Sequence, residues 1–129
     1  MSKQVHVLVL DDNVDVAMGI SEILELNGYN VKVVHDGKSA VSAFRDNKID
    51  MGLFDIRMPG MNGVEAFMEI RRQQPDAQVM LMSGYADDET IETALNNGAK
   101  GLLSKPFEPT ELLDRLETVS EGINPDTSS

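Results

Sequence analysis

The chain has 129 residues and carries 22 Asp and Glu against 11 Lys and Arg, a formal charge of −11. That length fits one domain with a core of its own, and a charge of this sign disfavours a surface that tracks nucleic-acid phosphates or an anionic membrane, since both call for clustered Lys and Arg. Cysteine is absent, which excludes disulfides and thiolate chemistry, and no apolar run reaches the length of a signal-peptide core or a membrane span, so a cytoplasmic protein is expected.

Short apolar runs alternate with stretches of helical spacing. Val5–Leu10 reads as a first strand, followed by the stripe Val16, Ile20, Ile23 and Leu24, which stops at Gly28. Val31–Val34 is a second strand, and Ala40, Val41 and Phe44 mark the helix after it. Met51–Phe54 is a third strand. Its helix carries Val64, Phe67 and Met68 and begins at Asn62, with Glu65 at capping-box spacing. Val79–Met82 precedes a helix with Ile91, Ala94 and Leu95 that ends at Gly98. Gly101–Leu103 is the fifth strand, and Glu108-Pro109 starts a last helix bearing Leu112, Leu113, Leu116 and Val119. The runs lack in/out alternation, as expected of strands buried on both faces. Strict alternation with short links gives an α/β fold: (βα)5, a doubly wound five-stranded parallel sheet with right-handed crossovers. One domain is expected over residues 1–121, and the polar 122–129 (GINPDTSS) reads as a flexible tail or the start of a linker.

In an open parallel sheet, ligands bind outside the carboxyl ends of the strands. Asp11, Asp12 and Asn13 follow the first run and Asp55 the third; Ser83 follows the fourth and Lys105 the fifth. The second is followed only by His35, Asp36 and Gly37. Helix capping accounts for many such residues singly, but Asp55 lies seven residues before the helix start at Asn62, and a cap gains nothing from Lys105. Three carboxylates at one rim repel unless a cation joins them, and one lysine is not enough. A hard divalent ion held by few carboxylates and waters is the Mg2+ pattern. Asp55 is then either a ligand alone or a nucleophile that forms an acyl phosphate.

The acidic pair Asp11-Asp12, the block FDIRMPGMNG from Phe54, the MSG segment at Ser83 and KPF at Lys105–Phe107 occur in an order and spacing that resemble a response-regulator receiver domain of two-component signalling, of the chemotaxis-regulator type. The resemblance spans about Val5 to Val119. It implies the flavodoxin-like strand order 2-1-3-4-5 and a phosphoacceptor at Asp55, charged by a histidine kinase or a phosphotransfer protein. It implies Mg2+ held by Asp11, Asp12, Asp55 and the backbone carbonyl of Arg57, with Ser83 and Lys105 on the phosphoryl group. A cis Lys105–Pro106 bond belongs to the same pattern. The resemblance also implies a switched surface for an unknown output partner and a monomer or phosphorylation-dependent dimer, while the charge predicts no direct contact with nucleic acid or membrane. Such a domain is a signalling phosphoacceptor that catalyses only its own phosphorylation and dephosphorylation.

Leu102 stands where many relatives carry Tyr or Phe, which puts the usual coupling between the hydroxyl residue and the last strand in doubt. Arg57 and Tyr85 match positions that tune the lifetime of the acyl phosphate in relatives. His6 and His35 read as structural, and the acids from Asp87 to Glu92 as either a solvated face or a docking surface. An aspartyl phosphohydrolase is disfavoured because Arg57 occupies the second acid of its DxD pattern. A flavin-type phosphate loop is disfavoured because the Asp-Asp-Asn after the first strand would repel phosphate.

Overall fold

A computed structural model describes residues 4–84 and 89–123, the side chains of 120–123 excepted. Five strands and five helices alternate: β1 (His6–Leu10), α1 (Val14–Leu26), β2 (Asn30–Val34), α2 (Gly37–Asp46), β3 (Met51–Asp55), α3 (Gly63–Gln73), β4 (Val79–Ser83), α4 (Glu89–Asn96), β5 (Leu102–Ser104) and α5 (Pro109–Ile123). All pairings are parallel and the strand order is β2-β1-β3-β4-β5, as expected. Of the expected tail, 122–129, residues 124–129 lie outside the described residues, whereas 122 and 123 belong to α5, which continues to Ile123.

Alternation along each strand divides the core into two layers. Leu8, Leu10, Phe54, Val79 and Leu81 face α2, α3 and α4, where Phe44 and Phe54 meet edge to face at 6.1 Å. Val7, Val9, Leu53, Met80, Met82 and Leu103 face α1 and α5, against Ile20, Leu24, Leu112 and Leu116. β3 and β4 are buried at every residue. β2 departs from the expectation: Asn30 and Lys32 are exposed and its valines half-buried, because it is an edge strand with one neighbour. In α1 the stripe also shifts. Ala17 and Ser21 are buried beside Ile20 and Leu24, while Val16 is 36% exposed.

Local signals set the ends of the elements. Asn13, Asp36 and Asn62 cap α1, α2 and α3 through their side chains, and Asn62 with Glu65 completes the capping box. Gly28 and Gly98, with φ of 91° and 104°, take the left-handed conformation that ends α1 and α4 at low cost. None of the described helices is long and apolar enough to cross a membrane.

Candidate functional site

The strand ends bring the expected groups together. Asp11, directly after β1, is fully buried; its Oδ1 accepts from the Asn13 N–H (2.9 Å) and its Oδ2 from Lys105 Nζ (2.7 Å). Asp55 closes β3 and is 7% exposed. Its Oδ1 accepts from the Arg57 N–H (3.1 Å) and its Oδ2 faces Lys105 Nζ at 3.3 Å. Asp12 is the exposed member of the trio. One carboxylate oxygen from each of Asp11, Asp12 and Asp55 lies within 4.8 Å of the others. Ser83, at the end of β4, is buried, and its carbonyl accepts from the Lys105 N–H (2.8 Å), tying β5's exit to the site. The Lys105–Pro106 peptide is cis, as the resemblance implied.

The electrostatics follow from burial and count. Burial pushes the Asp55 carboxyl above its ordinary value. The Arg57 N–H and the Lys105 charge pull it back, and the Asp11 charge adds to the upward push. Burial alone would lower the Lys105 ammonium, but the bond to Asp11 and the charges of Asp55 and Asp11 outweigh it and hold the group above its usual value. One ammonium on Asp11 and Asp55, with the Asp12 carboxylate beside them, leaves negative charge uncompensated. An all-oxygen donor set open to solvent at Asp12 therefore fits a hard divalent cation.

Two supports were given no such role by the sequence. The Asp11 backbone is gripped from β2: its N–H donates to the Val34 carbonyl (3.2 Å), and its own carbonyl accepts from His35 Nδ1 (2.9 Å). Since a carbonyl only accepts, Nδ1 carries the proton. Gly63, the first residue of α3, lies against the Asp55 carbonyl so closely that a Cβ there would overlap it. Their residues did stand in the sequence, His35 in the polar triplet His35-Asp36-Gly37 after the second strand and Gly63 at the end of the FDIRMPGMNG block, but nothing there showed what either one touches. Leu102 is half-buried and packs against the α2–α3–α4 layer, while its carbonyl accepts from Arg115 (3.1 Å). Tyr85, Asp87 and Asp88 lie outside the described residues.

Fold and site define a class: a doubly wound α/β domain with a carboxylate pocket, suited to a cation, at the strand ends. Residues 7–117 match the response regulator receiver domain, and the chain belongs to that family, whose members serve as phosphoacceptors in two-component signalling. It is 33% identical to the chemotaxis protein CheY of Thermotoga maritima, covering 90% of this chain and 98% of that one. It is 37% identical to the regulatory protein AtoC of Escherichia coli, over 83% of this chain and 23% of that protein. Among solved structures, a CheY-like receiver domain protein from Methanospirillum hungatei superposes with a TM-score of 0.86 at 28% identity, covering 92% and 96% of the two chains. The CheX-CheY-BeF3-Mg+2 complex from Borrelia burgdorferi gives 0.83 at 28% identity, covering 89% and 88%. The chain thus spans nearly all of one chemotaxis protein, but only a quarter to a half of longer regulators such as AtoC and the DNA-binding response regulator MtrA of Mycobacterium leprae.

Proposed function

We propose that Asp55 is the phosphoacceptor and that the pocket binds Mg2+ through Asp11, Asp12, Asp55 and the Arg57 carbonyl. The observation that carries this is Lys105 Nζ set between Asp11 Oδ2 and Asp55 Oδ2, with Asp12 close by and no second cation among the described partners of the three acids. A carboxylate oxygen of Asp55 attacks the phosphorus of a phosphohistidine on a kinase or phosphotransfer protein. The P–N bond breaks, the imidazole leaves with the bonding pair and takes up a proton, and an acyl phosphate remains on Asp55. Bound Mg2+ supplies charge neutralisation at the phosphoryl oxygens. Lys105 pairs with one of those oxygens, and the Ser83 hydroxyl moves to bond another. That movement biases the surface beside β4 and β5 towards a partner, which in a longer regulator is an output domain.

Incubation with acetyl phosphate and Mg2+ tests the reading. One base-labile phosphate per chain is expected, absent without the metal. An Asp55→Ala variant that still takes up the same label would overturn the assignment.

A further inference from the structure

β2, an edge strand, supplies none of the three pocket acids, yet its exit touches both of the loops that do. Asp11 has its N–H bonded to Val34 and its carbonyl bonded to His35 Nδ1, so its backbone is fixed from β2 on both sides. Two residues on, the chain is pinned by Asp36, which accepts from the Ser39 N–H (2.8 Å) and the Ser39 hydroxyl (3.0 Å) to cap α2. Gly37, buried as the first residue of α2, then abuts the loop between β3 and α3: a Cβ on it would lie 2.5 Å from the Met61 carbonyl oxygen and 2.7 Å from Met61 Cγ. Met61 leads through Asn62 to Gly63, which rests on the Asp55 carbonyl. Three contacts, His35 with Asp11, Gly37 with Met61 and Gly63 with Asp55, joined by two short stretches of chain, therefore link Asp11 to Asp55.

We propose that His35 and Gly37 form a positioning brace, which sets the separation of the Asp11 and Asp55 loops and so the cation affinity of the pocket. The inference rests on the reading of that pocket as a Mg2+ site. Metal–ligand distances tolerate only a few tenths of an ångström, and groups that orient ligands without touching the metal affect affinity strongly for that reason. Gly37 meets backbone rather than a flexible side-chain tip, so an added methyl must displace the Met61 segment and with it the loop that carries Arg57. His35 holds the Asp11 carbonyl by one directed bond; without it the Asp11 backbone keeps its N–H bond to Val34 alone among the bonds described here.

Mg2+ alone, titrated calorimetrically into the full chain, gives a readout independent of phosphorylation, and metal-free thermal unfolding measures the structural cost of each variant. Gly37→Ala and His35→Ala are each expected to weaken Mg2+ binding about tenfold. His35→Asn places an amide N–H near the position of Nδ1 and should recover most of that loss. Gly98→Ala is the control: it strains a backbone position with φ of 104° in the link between α4 and β5, distant from the pocket, and should lower the melting temperature while leaving Mg2+ affinity unchanged. Variants at 35 and 37 that lose stability as Gly98→Ala does, yet bind Mg2+ as the unaltered chain does, would overturn the brace alone. An unaltered chain that binds no Mg2+ would overturn the metal reading and the brace together. Should Gly37→Ala fail to fold, the His35→Ala and His35→Asn pair decides by itself.

Discussion

Lys105 lies closer to Asp11 than to Asp55, at 2.7 against 3.3 Å, although the resemblance pairs it with the phosphoryl group on Asp55. Before phosphorylation the lysine therefore serves first to neutralise the fully buried Asp11, whose carboxylate is otherwise reached only by the Asn13 N–H among its described bonds.

Removing the ammonium leaves that buried charge without its ion-pair partner. Lys105→Met is expected to destabilise the metal-free domain by about 3 kcal/mol, the usual result of breaking a buried pair from one side. Mg2+ restores positive charge at the same carboxylates, so the loss should shrink when urea unfolding is repeated with the metal at saturation. A loss equal with and without Mg2+ would show that the ion does not sit beside Asp11.

Asp55 carries the opposite imbalance. Its carboxyl is held above the ordinary value by burial, so at low pH it is protonated in both the folded and the unfolded chain. As pH rises past the ordinary carboxylate range the unfolded chain ionises first, and folding stability falls until Asp55 ionises too; above that the penalty is constant. Asp55→Asn removes the ionisation. In EDTA it is expected to melt above the unaltered domain at pH 7.5, with the difference fading under acid conditions where the carboxyl is protonated in both states. Mg2+ should raise the melting temperature of the unaltered chain far more than that of the variant.

Gly63 sets two effects of opposite sign against each other. In an isolated helix Ala is better than Gly by up to about 1 kcal/mol, whereas forcing a methyl into a packed contact costs about 1–3 kcal/mol. The atom it meets is the Asp55 backbone carbonyl, which cannot swing aside without moving the site, so overpacking wins. Gly63→Ala is expected to lose about 1–2 kcal/mol in urea unfolding and to slow labelling by acetyl phosphate at saturating Mg2+.

The sequence exposed the convergence of acids and lysine because topology alone carries it: alternating strands and helices must bring every strand end to one edge. β1, β3 and β4 were legible for the same reason, as buried runs without alternation. β2 was less so. Lys32 within Asn-Val-Lys-Val-Val records an edge position, but only relative to neighbours that sequence order does not show. Ala17 outranks Val16 in burial because helix phase is set by the sheet it packs on, and a small residue adds little to an apolar stripe. The grip of His35 on Asp11 and the fit of Gly63 to Asp55 are contacts that no local pattern discloses, although Gly63 itself closes the FDIRMPGMNG block.

At the opposite end of the helices, Arg71 provides a test of whether the site is mechanically independent of the rest of the fold. From the last turn of α3 it donates to the Pro75 carbonyl (2.6 Å) and to the Gly98 carbonyl (3.1 Å), with its guanidinium 5.6 Å from the centre of the Phe67 ring. A lysine keeps the charge but has no planar fork, so it cannot hold both carbonyls and stack at once. With one hydrogen bond and part of the stacking lost, Arg71→Lys is expected to cost about 1–2 kcal/mol. Because these contacts join α3 to the link between α4 and β5 and touch none of the acid-bearing loops, Mg2+ affinity should stay unchanged. Parallel urea unfolding and Mg2+ calorimetry separate the two. An affinity that falls together with stability would mean that strain from the α3 C-terminus reaches the pocket along the helix, through Gly63 at its other end.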